Sequence, residues 1–331
     1  MSTTIKKIAS ELGISPSTVS RALSGYPYVA KTTREKVFTK ADELTYSPNL
    51  WAQNLVGSTT NIIGCVVLEL ANPFFVPMVR AIEDITNQQG YITFIGESRR
   101  DLEMEKQVIE RLRRIRASGV IITPVLSDLC HLESLESEGV PVVVAGREVD
   151  RFDSVNVNNI MSGMIAGKHL AESGFMRIAY IQSGDPFNYP EKDRQTGLKN
   201  ALVESGKELA AIYTVGNNRI TGGEKAGEMW LEDINHPDAV FCSNDLLAMG
   251  FVQSIVRRGI QIPGDVAVLG HDDIPFSDTF IIPLSTIALP KSELGEKAVN
   301  LLMKRIVHNE YPHEPKMITL EPELVLRKSC F

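Results

Sequence analysis

Ile14-Ser15-Pro16-Ser17-Thr18-Val19-Ser20-Arg21-Ala22-Leu23 is the stretch on which the reading of this chain turns. Ser15 suits a helix N-cap and Pro16 suits the first helical position. Val19, Ala22 and Leu23 fall on one face at helical spacing, so that face packs inward. Pro16, Ser17 and Arg21 fall outside it, toward a partner. Small polar residues with one arginine suit base edges, and a guanidinium matches the paired acceptors of guanine.

The flanks supply the rest of a small domain. Ile5, Ile8, Ala9 and Leu12 recur at i, i+3, i+4 and i+7, which predicts an amphipathic first helix. Gly13 ends it and makes the turn. Together the two helices form a helix-turn-helix, in which the second enters the major groove. Thr32 and Glu35 have capping-box spacing for a third helix, with Val37, Ala41 and Leu44 as its buried stripe. Three such stripes over about fifty residues close a marginal core. Tyr46-Ser47-Pro48-Asn49 is a turn signal. The uncharged run Leu50–Gly57 is too short for a stable helix alone, and a plain linker is its bland reading.

Charge is divided unevenly along the 331 residues, whose net charge of −7 argues against a simple nucleic-acid binder. Residues 1 to 59 carry seven basic and four acidic side chains, a net +3 that leaves −10 for the remainder. A basic head on an acidic body fits a DNA-contacting module with a separate sensing body. Cys65, Cys130, Cys242 and Cys330 are scattered without a CxxC pair, which points away from a disulfide framework or a metal. Each reads as a small core hydrophobe, except that Cys330, near the end, is expected to be exposed. No apolar signal core and no run of about 18 apolar residues is present, so a cytoplasmic location and no membrane partner are expected.

From about residue 61, strands and helices alternate. Ile62–Leu68 is fully apolar, as a buried parallel strand requires. A helix is expected from about Phe74 to Gln89, a strand at Tyr91–Ile95 and a charged helix at Leu102–Arg114. Strands follow at Val120–Ile122 and Val140–Ala145. A second series has strands at Ile178–Ile181, Ala239–Phe241 and Val266–Leu269, with helices near Thr196–Glu204 and Leu246–Arg257. Two such series over about 270 residues predict two doubly wound parallel-sheet subdomains. Ligands bind at strand carboxyl ends, and two facing sheets make a cleft that closes by hinge motion.

The runs TIKKIASELGISPSTVSRALSG (4–25), VAKTTREKV (29–37), DELTYSPN (42–49) and WAQNLVGSTTNIIG (51–64) carry a resemblance. They are similar to the lac and galactose repressor family of bacterial transcription regulators, and weaker motifs continue it through the chain. The resemblance implies an all-α helix-turn-helix head at 1–48, a hinge helix and linker at 49–60, and an effector-binding α/β core at 61–331. That core resembles the type I periplasmic sugar-binding proteins. It implies three crossings, near Asn158, Ala288 and Thr319. The N-subdomain would take about 61–158 and 289–318, and the C-subdomain about 159–288 and 319–331. DNA contacts are implied for Thr4, Ser15, Pro16, Ser17, Ser20, Arg21 and Thr32 in the head. In the hinge they are implied for Asn49, Ala52, Gln53 and Leu55. The hinge helix folds only when paired with its dimer mate on the operator, and Leu55 wedges into the minor groove, where a kinked duplex returns more contact than unstacking costs. Trp51 departs from the usual small or aliphatic residue; packing on the core, packing on the partner hinge and an altered fit all stay open.

Candidate effector residues lie at strand ends. Phe74 and Phe75, after the first core strand, are packed aromatics or the wall of a ligand site. Arg147 follows Val142–Gly146 and is otherwise a surface ion pair of little worth. The resemblance matches Arg194 to the arginine of the family's R-x-x-G pattern, which anchors ligand oxygens. It matches Asn244-Asp245 to an ND pair that also suits N-capping, and Asp272 to a ligand-contacting aspartate. Asn188 is a weaker candidate, and Asn218 stands where relatives place a stacking aromatic. His271, alone, reads as structural. Gly146 replaces an aspartate that contacts ligand in many relatives. The cleft thus loses an acid and an aromatic, while keeping or gaining Arg147, Arg194 and, in a polar loop, Arg219. Arginine forks match carboxylate or phosphate, so an anionic carbohydrate, a sugar acid or sugar phosphate, is expected.

The whole implies a repressor of carbohydrate-utilisation genes, a homodimer on a pseudo-palindromic operator of double-stranded DNA. Its operator affinity would shift by the effector's differential binding. No leucine heptad follows position 308, which favours a dimer over a tetramer. A periplasmic-type sugar-binding protein without DNA function would explain the body but not the head. An enzyme is disfavoured, because no GxSxG, Walker loop or GxGxxG is present. No cofactor and no metal are expected.

Overall fold

The computed structural model describes residues 4–23, 26, 28–46, 60–185, 188–308 and 314–331. The chain divides into two compact units, Met1–Thr60 and Asn61–Phe331. The first unit is helical, with α1 (Ile5–Leu12), α2 (Pro16–Leu23) and α3 (Lys31–Glu43). Ile8, Ala9, Val19, Ala22, Val37 and Ala41 are its buried centre, and Leu12, Leu23 and Leu44 pack around them. Gly13 stops α1 at φ 65°, a left-handed conformation that glycine adopts without a Cβ penalty. Ser15 caps α2, its Oγ accepting from the Thr18 N–H at 3.1 Å.

The expected capping box of α3 does not form. The helix begins at Lys31, with Ala30 at the cap position and no side-chain cap bond, so Thr32 lies inside the first turn. The Ala30 carbonyl instead accepts from the Thr33 and Arg34 N–H groups, at 3.0 Å each. Arg34 then ties the helix start back to the Tyr26 carbonyl at 2.8 Å.

In the second unit the strands run β1 (Ile62–Val67), β2 (Ile92–Glu97), β3 (Gly119–Ile122), β4 (Val142–Ala145), β5 (Asp153–Val157) and β6 (Ile178–Gln182). They continue as β7 (Leu209–Thr214), β8 (Ala239–Cys242), β9 (Ala267–Asp272), β10 (Ser285–Ala288), β11 (Met317–Leu320) and β12 (Glu323–Val325). The intervening helices are α4 (Phe75–Gln88), α5 (Leu102–Arg114), α6 (Glu133–Ser137), α7 (Asn159–Glu172) and α8 (Tyr189–Glu204). After them come α9 (Ile220–Glu232), α10 (Asp245–Val256) and α11 (Lys291–His308).

Two six-stranded sheets result, ordered β11-β5-β4-β3-β1-β2 and β12-β10-β9-β8-β6-β7. Every described pairing is parallel except β10 with β12. Strand β1 shows why the sequence reads as continuously apolar. Ile63, Cys65 and Val67 face one core layer with Met78 and Ile82 of α4 and Leu302 of α11, whereas Val66 faces another with Leu112 of α5. Both faces are covered, so alternation is not needed. The second sheet repeats the plan around Ile181, Cys242 and Phe251 on one side and Tyr180, Phe241 and Leu198 on the other.

Four features differ from expectation. Strand β11 stays in the first sheet through Leu320, because Thr319 and Leu320 pair with Asn156 and Val157; the third crossing therefore falls beyond 320 rather than near Thr319. Helix α8 begins at Tyr189 rather than near Thr196, since the Asn188 side chain caps it by accepting from the Glu191 N–H at 3.3 Å. Cys330 is fully buried, not exposed. The chain end turns inward there, with its carbonyl held by Ser285 Oγ at 2.6 Å, and burial pushes the thiol up to about 12. Cys130, read as a core hydrophobe, is the exposed cysteine. Among the described residues no helix is long and apolar enough to cross a membrane, and no group of three or more His, Cys, Asp or Glu is placed to hold a metal ion.

Candidate functional site

The first unit presents an exposed face on α2. Ser15, Pro16, Ser17, Ser20 and Arg21 are all exposed, while Val19 and Ala22 on the opposite side are buried. Thr4 stands exposed at the N-cap of α1, and Thr32 is exposed in the first turn of α3. Asn49, Ala52, Gln53 and Leu55, with Trp51, lie outside the described residues.

The second unit holds a cleft. In each sheet the first strand is flanked by the second on one side and the third on the other, so switch points fall at β1/β3 and β6/β8. Ligand crevices open at such points. A cavity of about 130 Å³ lies there, between the two sheets. From the first sheet, Leu68, Arg100, Thr123 and Gly146 line it just past the ends of β1, β2, β3 and β4. From the second, Asp185, Asn218, Asn244 and Asp272 line it past or at the ends of β6, β7, β8 and β9. Phe74, Phe75, Arg147, Asn188 and Arg194 complete the expected set in its wall.

Arg194 projects from the middle of α8, a placement that glycines make possible. A Cβ on Gly197 would lie 1.9 Å from the Ile160 carbonyl, and one on Gly163 would lie 2.0 Å from the Arg194 carbonyl. Helices α7 and α8 thus touch backbone to backbone. The contact brings Asn159, at the start of α7, within reach: its Oδ1 accepts from Arg194 Nη1 at 2.7 Å. Arg194 is only 8% exposed, and its Nε–H has no hydrogen-bond partner among the described residues.

Asp272 ends β9 with φ 111°, a left-handed conformation strained for aspartate. Lys291 holds the turn, its Nζ donating to the carbonyls of Asp272, Asp273 (2.8 Å) and Leu289 (3.3 Å). Asp272 Oδ1 is hydrogen-bonded to His271 Nδ1 at 2.9 Å. Burial pushes the Asp272 carboxyl up to about 7, although the Arg194 and Lys291 cations pull it back. Burial also drives His271 well below the usual imidazole range, so the ring is neutral. Its structural reading fits a side chain with no exposure.

The remaining candidates divide their work. Asn244 caps α10, its Oδ1 accepting from the Leu247 N–H at 2.7 Å, while its Nδ2 donates to the Asn218 carbonyl at 3.1 Å. Asp245 turns away from the cleft and accepts from Ile274 N, Ser277 Oγ and Thr286 Oγ1 at 2.6–2.9 Å. Arg147 donates to Ser127 Oγ at 3.1 Å and lies 5.3 Å from the Tyr189 ring centroid. Phe74 and Phe75 meet edge to face, with Phe75 buried and Phe74 half-buried. Gly146 has φ 80° and open space where a Cβ would stand.

Two outcomes escaped sequence reasoning. Arg100 lines the cavity, carried there by two consecutive left-handed residues, Arg99 (φ 54°) and Arg100 (φ 59°), beyond β2. The available signal was a charged Ser98-Arg99-Arg100-Asp101 run directly after an apolar strand. Arg219, expected in the cleft, does not line the cavity. Its guanidinium lies 2.6 Å from the Glu69 carboxylate, which is also 3.6 Å from Arg100, so Glu69 draws it toward the first sheet's loops.

Residues 4–49 match the family model for bacterial regulatory proteins of the lacI family, and residues 168–330 match a periplasmic binding protein-like domain. The chain is 31% identical over 337 residues to the HTH-type transcriptional repressor PurR of Photobacterium profundum, covering 98% of each. It is 26% identical to the lac repressor dimer solved bound to operator and the anti-inducer ONPF, with a TM-score of 0.86 over 99% of both chains. It is 27% identical to a LacI family transcriptional regulator from Enterococcus faecium solved with bound ribose. That match has a TM-score of 0.73 and covers 81% of this chain and 98% of the other.

Proposed function

The chain belongs to the lacI family of bacterial regulatory proteins and is a DNA-binding transcriptional repressor rather than an enzyme; from that premise we propose that it represses carbohydrate-utilisation genes under the control of an anionic sugar-type effector. The observation that carries the effector class is the buried Arg194 guanidinium, with an unspent Nε–H, in one cavity with the Asp272 carboxyl. A donor fork beside an acceptor suits the adjacent hydroxyls of a carbohydrate. The surrounding charge tips the balance toward an acid, since the described residues of the wall include the cations Arg100, Arg147 and Arg194 against the acids Asp185 and Asp272. Burial lowers the Arg147 pKa, the desolvation that an anionic group would offset. The neighbour solved with ribose supports the sugar class.

A homodimer on a pseudo-palindromic operator completes the proposal. Edge strand β2 leaves Ile92, Phe94 and Ile95 between 38% and 46% exposed. An uncovered apolar edge invites pairing, and a second copy is the occupant proposed. In the head, Ser17 and Arg21 would read base edges while Thr4, Ser15, Ser20 and Thr32 fix register on the backbone. Effector and operator would be linked through the core's conformation by about 1–3 kcal/mol.

A planar heterocycle is the competing ligand, because Phe74 offers an aromatic wall; Asn218 supplies no second ring to sandwich it. A thermal-shift screen of neutral sugars, sugar acids, sugar phosphates and planar heterocycles separates these readings, since a specific ligand raises the melting temperature by mass action. Stabilisation by acidic sugars, lost in Arg194→Ala, is the expected result. Stabilisation by neutral sugars or heterocycles alone overturns the anionic assignment and leaves the repressor intact.

A further inference from the structure

We propose that Tyr26 is a positioning residue for operator reading: its ring sets the direction of the Arg21 guanidinium. The two are not on the same element. Arg21 is exposed in the last turn of α2, and Tyr26 lies beyond the end of that helix. The guanidinium carbon of Arg21 stands 5.6 Å from the Tyr26 ring centroid, within range of attraction between a cation and the ring face.

Tyr26 is held by its main chain. Its N–H donates to the Arg21 carbonyl at 3.0 Å, and its carbonyl accepts from Arg34 Nη2, on α3, at 2.8 Å. Tyr28, 88% exposed, meets the ring in a tilted contact at a centroid distance of 5.8 Å. The main chain at Tyr26 is therefore tied to two helices, which places its ring beside the long, exposed Arg21 side chain, and the contact narrows the directions the guanidinium takes. An arginine already pointed at its base loses less freedom on docking, which favours the specific complex. The non-specific complex needs only positive charge near phosphates and gains nothing from the direction of the guanidinium.

The inference rests on Arg21 being a base reader, and the test separates the two claims. Wild-type full-length protein selects a duplex from a random library. Binding to that duplex and to a scrambled one is then measured, at one salt concentration, for Tyr26→Phe, Tyr26→Leu, Arg21→Ala and the Tyr26→Leu/Arg21→Ala double variant. Tyr26→Phe keeps the ring face and stays within about twofold of wild type on both duplexes. Tyr26→Leu keeps bulk without a π face and loses about tenfold on the selected duplex only, both heads of a dimer contributing. Unchanged binding of the scrambled duplex shows that the head is folded. In the Arg21→Ala background the leucine adds no further loss. An equal loss with or without Arg21 overturns the proposal, as does a Tyr26→Phe defect matching that of Tyr26→Leu. An Arg21→Ala variant that weakens both duplexes equally removes the base-reading role of Arg21, and the proposal with it.

Discussion

Asp272 concentrates more physical constraint than any other cleft residue. It is buried, strained at φ 111°, bonded to a neutral His271 and countered by Arg194. Its carboxyl, pushed up to about 7 by burial, binds its proton more tightly in the folded chain than in the unfolded one. A raised carboxyl pKa contributes stability below its unfolded value, near 4, and that contribution is lost as pH rises through about 7. The melting temperature is therefore expected to fall as pH rises from about 4 to about 7 and to level off above that. The loss across that window is at most on the order of 4 kcal/mol. Asp245, pushed up to about 7 by burial and then by the Asp272 charge, titrates in the same window. Asp272→Asn removes the first contribution and relieves the second, so its melting profile across this range is flatter. A profile identical to wild type would mean that Asp272 is ionised throughout. At this scale the sequence is partly legible. Asp272 and Arg194 were identifiable from motifs that the resemblance brings, because each sits at a strand end or in a short pattern. Arg100 was not: its charged run follows β2 directly, but nothing in composition announces that two successive non-glycine residues adopt left-handed conformations and turn it into the cavity. Cys330 misled for a related reason: nearness to a chain end says nothing about burial when Ser285 and Ser329 draw the last residues under the second sheet.

Helices α7 and α8 give the R-x-x-G pattern its physical meaning. Arg194 and Gly197 lie on neighbouring turns, the arginine reaching the cleft and the glycine admitting the α7 backbone. Function and packing are thus tied to one stretch of helix. Gly197→Ala places a methyl 1.9 Å from the Ile160 carbonyl, a backbone atom that cannot step aside as a side chain would. The helices must separate, which displaces Asn159 from Arg194 as well. A destabilisation of about 1–3 kcal/mol is expected, together with loss of effector binding in the surviving folded protein. Urea denaturation and ligand titration check the two parts independently. Retained effector affinity at reduced stability would show that Arg194 is placed without help from this contact. Such contacts are not visible in periodicity, which reports which face is apolar and not how closely two faces meet. The same limit explains the late start assigned to α8. Its first turn contains Pro190, Glu191 and Lys192, whose polarity reads as loop until the Asn188 cap and the buried Glu191 carboxylate are seen. That carboxylate gathers Ser183 N, Ser183 Oγ and Ser243 Oγ at 2.6–2.8 Å.

Across the whole molecule, alternation of apolar strands and amphipathic helices was enough to read two doubly wound subdomains, because the central strands β1, β3, β4 and β8 are apolar throughout and buried on both faces. What alternation cannot supply is which sheet a strand joins. Strands β11 and β12 are four and three residues long, separated by two residues, yet they belong to different sheets. That exchange links the two halves of the cleft, so a ligand bridging them biases their relative angle. The head is a separate compact unit, and the residues between it and the core are where the resemblance places the operator-dependent hinge helix. Leu55→Ala tests whether the two units communicate through that segment. The substitution removes the proposed minor-groove wedge and leaves the cleft untouched. Operator affinity is expected to fall by about tenfold or more, while effector affinity of the free protein stays at the wild-type value. Linkage adds a stricter requirement. The factor by which effector alters operator binding must equal the factor by which operator alters effector binding, and in Leu55→Ala both shrink together. Titrations of each ligand in the presence and absence of the other measure all four affinities. Equal weakening of effector and operator binding would instead place Leu55 in a packed core, where its loss is felt everywhere.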